Sequence, residues 1–100
     1  MKKKDYIREL RKILPIYKTR SYNEWKKRIH QDTERIEHES RNGTMCQVFI
    51  SASWNDNPEG IIKISFAIDH GGWRSFFPFV VSICINSNNE YLSDTLEGFS

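Results

Sequence analysis

One hundred residues can enclose one hydrophobic core and not two. With 38% hydrophobic, 28% charged and 13% aromatic residues, the composition is that of a folded domain and excludes disordered and collagen-like classes. No uninterrupted apolar run approaches the ~18 residues of a membrane span, and the basic start Met1-Lys-Lys-Lys leads into more charge, so the expectation is a cytoplasmic protein without a secretory signal.

Ile7, Leu10, Ile13 and Leu14 recur at helical spacing and predict an amphipathic helix from Asp5 to Leu14, ended by Pro15. After a connector, Ser21-Tyr-Asn-Glu24 reads as a capping box, Ser21 accepting from the Glu24 amide while the Glu24 carboxylate reaches back. Tyr22, Trp25, Ile29 and Ile36 follow, and Asn42-Gly43 supplies a left-handed stop. The pattern predicts a second helix of about twenty residues, roughly 30 Å long. On it His30, Glu34 and His38 would share one face. The outer two would stand two turns apart with no cysteine or third histidine nearby, so no metal site is expected.

From Thr44 the period changes to two. Cys46, Val48, Ile50, Ala52 and Trp54 form one face, then Ile62, Ile64, Phe66 and Ile68, then Phe77, Phe79, Val81, Ile83 and Ile85. Turn chemistry separates these runs at Asn55–Gly60 and Asn86–Glu90, and Tyr91-Leu92 reads as the start of a short fourth strand. Asp69-His-Gly-Gly72 reads as a hairpin turn, its glycines supplying positive φ. Pro78, without an amide donor, places its strand at a sheet edge or at a bulge. The expected architecture is α+β: two N-terminal helices on one face of a three- to four-stranded antiparallel meander. It forms a single domain over 1–100, with a helical half 1–43 and a β half 44–100.

Charge divides along the same line. Residues 1–43 carry 13 Lys/Arg and 7 Asp/Glu, a net +6, and residues 44–100 carry 2 and 6, a net −4, together the chain's +2. Such a split suits basic partners on one side and acidic partners or phosphate on the other. The two cysteines, Cys46 and Cys84, lie in apolar runs. The expectation is free thiols in a reducing compartment, with a disulfide or redox pair as the alternative.

Chemistry-bearing residues concentrate at 69–76. Trp73 and Arg74, followed by Phe76, are of the types enriched at interface hot spots when they stand at a turn. Asp56, Glu59 and Asp69 would border them with negative charge, and His70 lies beside them. The expected partner-binding set is therefore Asp56, Glu59, Asp69, His70, Trp73 and Arg74, with no catalytic residue, metal or cofactor. An enzyme alternative uses Asp69, His70 and Arg74 as the base, acid and cation of a small ribonuclease. The order of helices before an antiparallel sheet is similar to barnase-like and RelE-like ribonuclease toxins in layout, without a shared motif. The catalytic candidates crowd one turn instead of projecting from several strands, which speaks against that alternative. A third reading, nucleic-acid binding through Trp25 and Lys26-Lys-Arg28 on the basic helices, conflicts with Trp25 belonging to the apolar stripe.

The segment Asp69-His-Gly-Gly-Trp-Arg-Ser-Phe-Phe-Pro78 resembles a stretch in small bacterial proteins. Short helix-plus-meander proteins of this kind resemble the immunity proteins paired with interbacterial toxins. That resemblance implies tight binding to a cognate toxin protein without chemistry. Immunity proteins against nucleases are commonly acidic overall, and only the second half of this chain fits that pattern.

Overall fold

The computed structural model describes residues 3–70 and 79–92. The first helix, α1, runs Lys3–Tyr17 and buries Ile7, Leu10, Ile13, Leu14 and Tyr17 along one stripe. It passes through Pro15 instead of ending there. The proline ring stands on the exposed side, and the ladder resumes with the Lys18 amide donating to the Leu14 carbonyl at 2.9 Å. One lost hydrogen bond is outweighed by the extra turn, which delivers Tyr17 edge-on to Phe66 with centroids 5.7 Å apart.

The second helix, α2, is Tyr22–Arg28. Its capping box is present as the sequence predicts: Ser21 Oγ accepts from the Glu24 amide at 3.2 Å, and Glu24 Oε1 accepts from the Ser21 amide at 3.4 Å. Its length is seven residues, which corrects the expected twenty. Beyond Ile29 only Ile36 continues the stripe, and Arg28 folds back onto the Asp32 carbonyl at 2.9 Å, closing the turn. The chain then extends as strand β1, Glu34–Glu39, inside the half expected to be helical. Gly43 does adopt positive φ (85°), but within a hairpin: the Ser40 amide donates to Thr44 O at 2.8 Å and the Gly43 amide to Ser40 O at 2.9 Å.

Strands β2 (Met45–Trp54), β3 (Ile62–Asp69) and β4 (Phe79–Ile85) follow. The sheet is antiparallel in the order β1-β2-β3-β4, so the α+β architecture with a four-stranded meander is observed. Alternation holds as read: Cys46, Val48, Ile50, Ile62, Ile64, Phe66, Ile68, Val81, Ile83 and Ile85 are buried in one cluster with the α1 stripe, Tyr22 and Trp25. The helices lie over this face, α1 against β3 and α2 against β2 and β3. Tyr91 makes only an isolated bridge to Ile85, so the strand expected at Tyr91-Leu92 is absent among the described residues. β4 is an edge strand of this sheet, the position Pro78 calls for; Pro78 and Phe77 themselves lie outside the described residues.

Ile68 pairs with Phe79. That register leaves ten residues, 69–78, between the last positions paired across β3 and β4. The antiparallel pairing matches the expectation; the hairpin turn expected at Asp69-His-Gly-Gly72 lies, from Gly71 on, outside the described residues, as do the residues up to Phe76. No helix among the described residues is long and apolar enough to cross a membrane.

Candidate functional site

Antiparallel connections alternate between the two ends of a sheet, and this alternation decides which candidate residues meet. Asp69 ends β3 opposite Gln47. Asp56 and Glu59 sit in the β2–β3 connection, closed by the Asn55 amide on Ile61 O at 2.8 Å. The eight residues of β3 therefore separate them from Asp69 by roughly 24 Å. The single acidic border expected around Trp73 and Arg74 is corrected to two separate acidic places. Glu59, at φ 69°, instead faces Lys26 of α2 at 2.5 Å, and Asp56 accepts from Asn55 Nδ2 at 3.2 Å. Both are exposed.

At the other end, Asp69 is buried although its position belongs to the outer face of the sheet. His70 is half-buried, its Nδ1 2.5 Å from the Tyr6 hydroxyl of α1. Tyr6 also stacks on Phe79, centroids 6.0 Å apart and planes inclined 12°. His70 thus fastens the start of α1 to the ends of β3 and β4. Trp73 and Arg74 lie outside the described residues.

Ser51, Ser65 and Ser82 align across the outer face, and so do Arg35, Phe49, Ala67 and Val80. Among the described residues no helix covers this face. Met45 and Val80 are each 52% exposed, and Phe49 is half-buried. This apolar row runs up to the Asp69–His70 end of the sheet, with Glu37 and Glu39 on its flank.

Two charged clusters escaped the sequence reading. Glu9 is fully buried. It accepts from His38 Nε2 at 2.8 Å, Arg8 Nε at 3.1 Å, Lys12 Nζ at 3.3 Å and the Arg41 amide at 3.3 Å. Burial pushes its carboxyl up, but the hydrogen bonds from His38, Arg8, Arg41 and Lys12 outweigh that and take it from 4.5 to about 2. The available signal was the row Tyr6, Glu9, Ile13 and Tyr17 at spacings of three and four, which puts a carboxylate among core residues. In the second cluster Arg20 grips Glu34 with two bonds of 2.9 Å while its guanidinium lies 4.7 Å from the Tyr17 ring centre and 4.8 Å from that of Trp25. Hydrogen bonding from Arg20 lowers the Glu34 carboxyl, and Glu34 in turn raises Arg20. Tyr91 completes the cluster, accepting from Trp25 Nε1 at 2.8 Å and donating to Arg20 O at 2.6 Å; burial raises its phenol.

His30, Glu34 and His38 therefore share no helix face. Glu34 and His38 are strand residues engaged by Arg20 and Glu9, and no group of three His, Cys, Asp or Glu among the described residues is placed to hold a metal. Cys46 and Cys84 are free thiols on opposite faces of the sheet. No family model, curated protein or solved structure matches this chain.

Proposed function

We propose that the protein is a small binding module of the immunity or antitoxin kind, which neutralises a cognate toxin protein by covering it. The supporting observation is the one-sided layering. Helices occupy one sheet face, and the other presents exposed Met45 and Val80 and half-buried Phe49, the latter in a row with Arg35, Ala67 and Val80. Soluble proteins keep such apolar rows for partners. The row ends at Asp69 and His70; Trp73 and Arg74, the hot-spot residue types that follow in the sequence, lie outside the described residues and are the contacts the proposal adds to it. Asp56 and Glu59, at the far end, fall outside it. The polar clusters at Glu9 and Arg20 hold the fold together and leave the surface to do the binding.

The test uses the purified product of a toxin gene adjacent to this one, titrated calorimetrically, with co-expression scored for rescue of growth. The expected result is a tight complex weakened at least tenfold by Trp73→Ala, Arg74→Ala or Val80→Glu, each variant keeping the wild-type melting curve. Cleavage of RNA by the isolated protein, lost in His70→Ala, would overturn the proposal in favour of a ribonuclease. Affinity for RNA falling steeply with salt would overturn it in favour of nucleic-acid binding.

A further inference from the structure

The free edge of β1 has a charge order that is complementary to itself. Because the Ser40 amide bonds Thr44 O and the register keeps Ile36 opposite Val48 and His38 opposite Cys46, even-numbered residues of β1 direct their backbone groups toward β2. Hydrogen-bonded pairs alternate along an antiparallel ladder. The N–H and C=O groups of Arg35, Glu37 and Glu39 therefore point away from the sheet, and no strand among the described residues pairs with them. The Arg35 and Glu37 side chains lie on the outer face, 53% and 62% exposed and 3.7 Å apart.

We propose that β1 pairs antiparallel with β1 of a second copy about a two-fold axis at Ile36, joining the two four-stranded sheets into one of eight strands. In that register Arg35 of each copy stands opposite Glu37 of the other, twice, so four charges alternate around the axis. On the core face Ile36 meets Ile36, and Glu34 meets His38. The neighbouring registers that also match outward-pointing backbone groups are worse. Centring on Arg35 sets arginine against arginine, centring on Glu37 sets glutamate against glutamate, and centring on His38 sets Glu37 against Glu39 and Arg35 against Arg41. Charges on an edge strand ordinarily keep it single; here their order favours the alignment that pairs Arg35 with Glu37 twice over the slipped ones. The contact is isologous and closes at two copies. The helices sit over β2 and β3, and α1 reaches β1 on its core face, through Glu9 on His38. The area joined is small, so the dimer is a reversible one.

Sedimentation velocity over a concentration series tests this with the protein alone. Wild type should move from monomer to dimer as concentration rises. R35E places four glutamates at the axis and E37R four arginines, so each should be monomeric at concentrations where wild type is dimeric. An equimolar mixture of the two should recover the dimer, because every cross-axis pair is again opposite in sign, and R35E/E37R should recover it alone. A wild type that stays monomeric throughout, single reversals that leave the dimer intact, or a mixture that stays monomeric would each overturn the assignment. None of these outcomes bears on toxin binding, which the calorimetry reads separately.

Discussion

Acid should unfold this protein in large part through Glu9. The unfolded carboxyl titrates near 4.5 and the folded one near 2. At about 1.4 kcal/mol per pH unit, that difference corresponds to a ceiling of about 3 kcal/mol. Arg8 and Lys12 are partly in solvent, and screening of those two partners trims the contribution to about 1–3 kcal/mol. The sign follows from the depressed folded value. The stabilisation is fully present above pH 4.5, shrinks as pH falls, and is gone once pH passes below 2. Glu9→Gln keeps the shape and removes the charge, so it should cost about 1–3 kcal/mol at pH 7 and abolish that part of the pH dependence. Urea unfolding of both proteins at pH 7, 5, 4, 3 and 2.5 measures this. Glu34, also held low by Arg20, contributes in the same direction in both proteins and cancels in the difference. The two stability curves should converge toward low pH. Parallel curves, with the same gap at pH 7 and pH 2.5, would show that Glu9 acts by packing and that the charged contacts contribute nothing.

Trp25→Ala should destabilise by about 3–5 kcal/mol in urea unfolding, since Trp25 is 1% exposed and its loss also removes the indole donor to the Tyr91 hydroxyl; a cost below about 1 kcal/mol would remove it from the core. Pro15→Ala should stabilise by roughly 1–2 kcal/mol, because alanine restores an amide donor inside α1; no gain would mean that the helix stops at Leu14. Disulfide-exchange labelling under native conditions should modify Cys84 quickly. Cys46, buried and with its thiol pushed up by that burial, should react only on unfolding. Equal native rates would contradict its placement on the core face.

The parts of the fold that were legible share one property: their apolar periodicity is complete. In β2, β3 and β4 every inward position from Cys46 to Ile50, Ile62 to Ile68 and Val81 to Ile85 is apolar, and the period of two could hardly be misread. The same holds for Ile7 to Leu14 of α1. β1 was misread because its inward positions are Glu34, Ile36 and His38, a single apolar residue between two polar ones. A lone isoleucine fits a helix and a strand equally well, and Asn42-Gly43 serves a C-cap and a hairpin with the same backbone angle. The pairing of β1 with β2 and the partners Glu9 and Arg20 decide the matter, and none of them shows in the apolar pattern of 34–39 itself. Pro15 was over-read for a related reason: the local penalty was visible, whereas the burial of Tyr17 was not. For the candidate site, the sequence brought Asp69 and His70 to one sheet end correctly but could not show that Asp56 and Glu59 belong to the other.

The charge split between the halves also takes a different meaning from the structure. Read linearly, the basic N-terminal segment suggested a surface for acidic partners. In the fold, Arg8 and Lys12 turn to Glu9, Arg20 and Arg28 to Glu34, and Lys26 to Glu59. Five of the cations counted toward the +6 thus face carboxylates of the same molecule. Their work is local. Glu9 with His38 pins one end of β1 to α1, and Arg20 with Glu34 pins the other end to the α1–α2 connection, leaving Ile36 as the strand's one apolar tie. A strand held by charge at both ends needs few apolar residues of its own, which frees its outward positions for Arg35, Glu37 and Glu39. The polarity that hid β1 from the hydrophobic pattern is therefore the property that fits its edge for a partner strand.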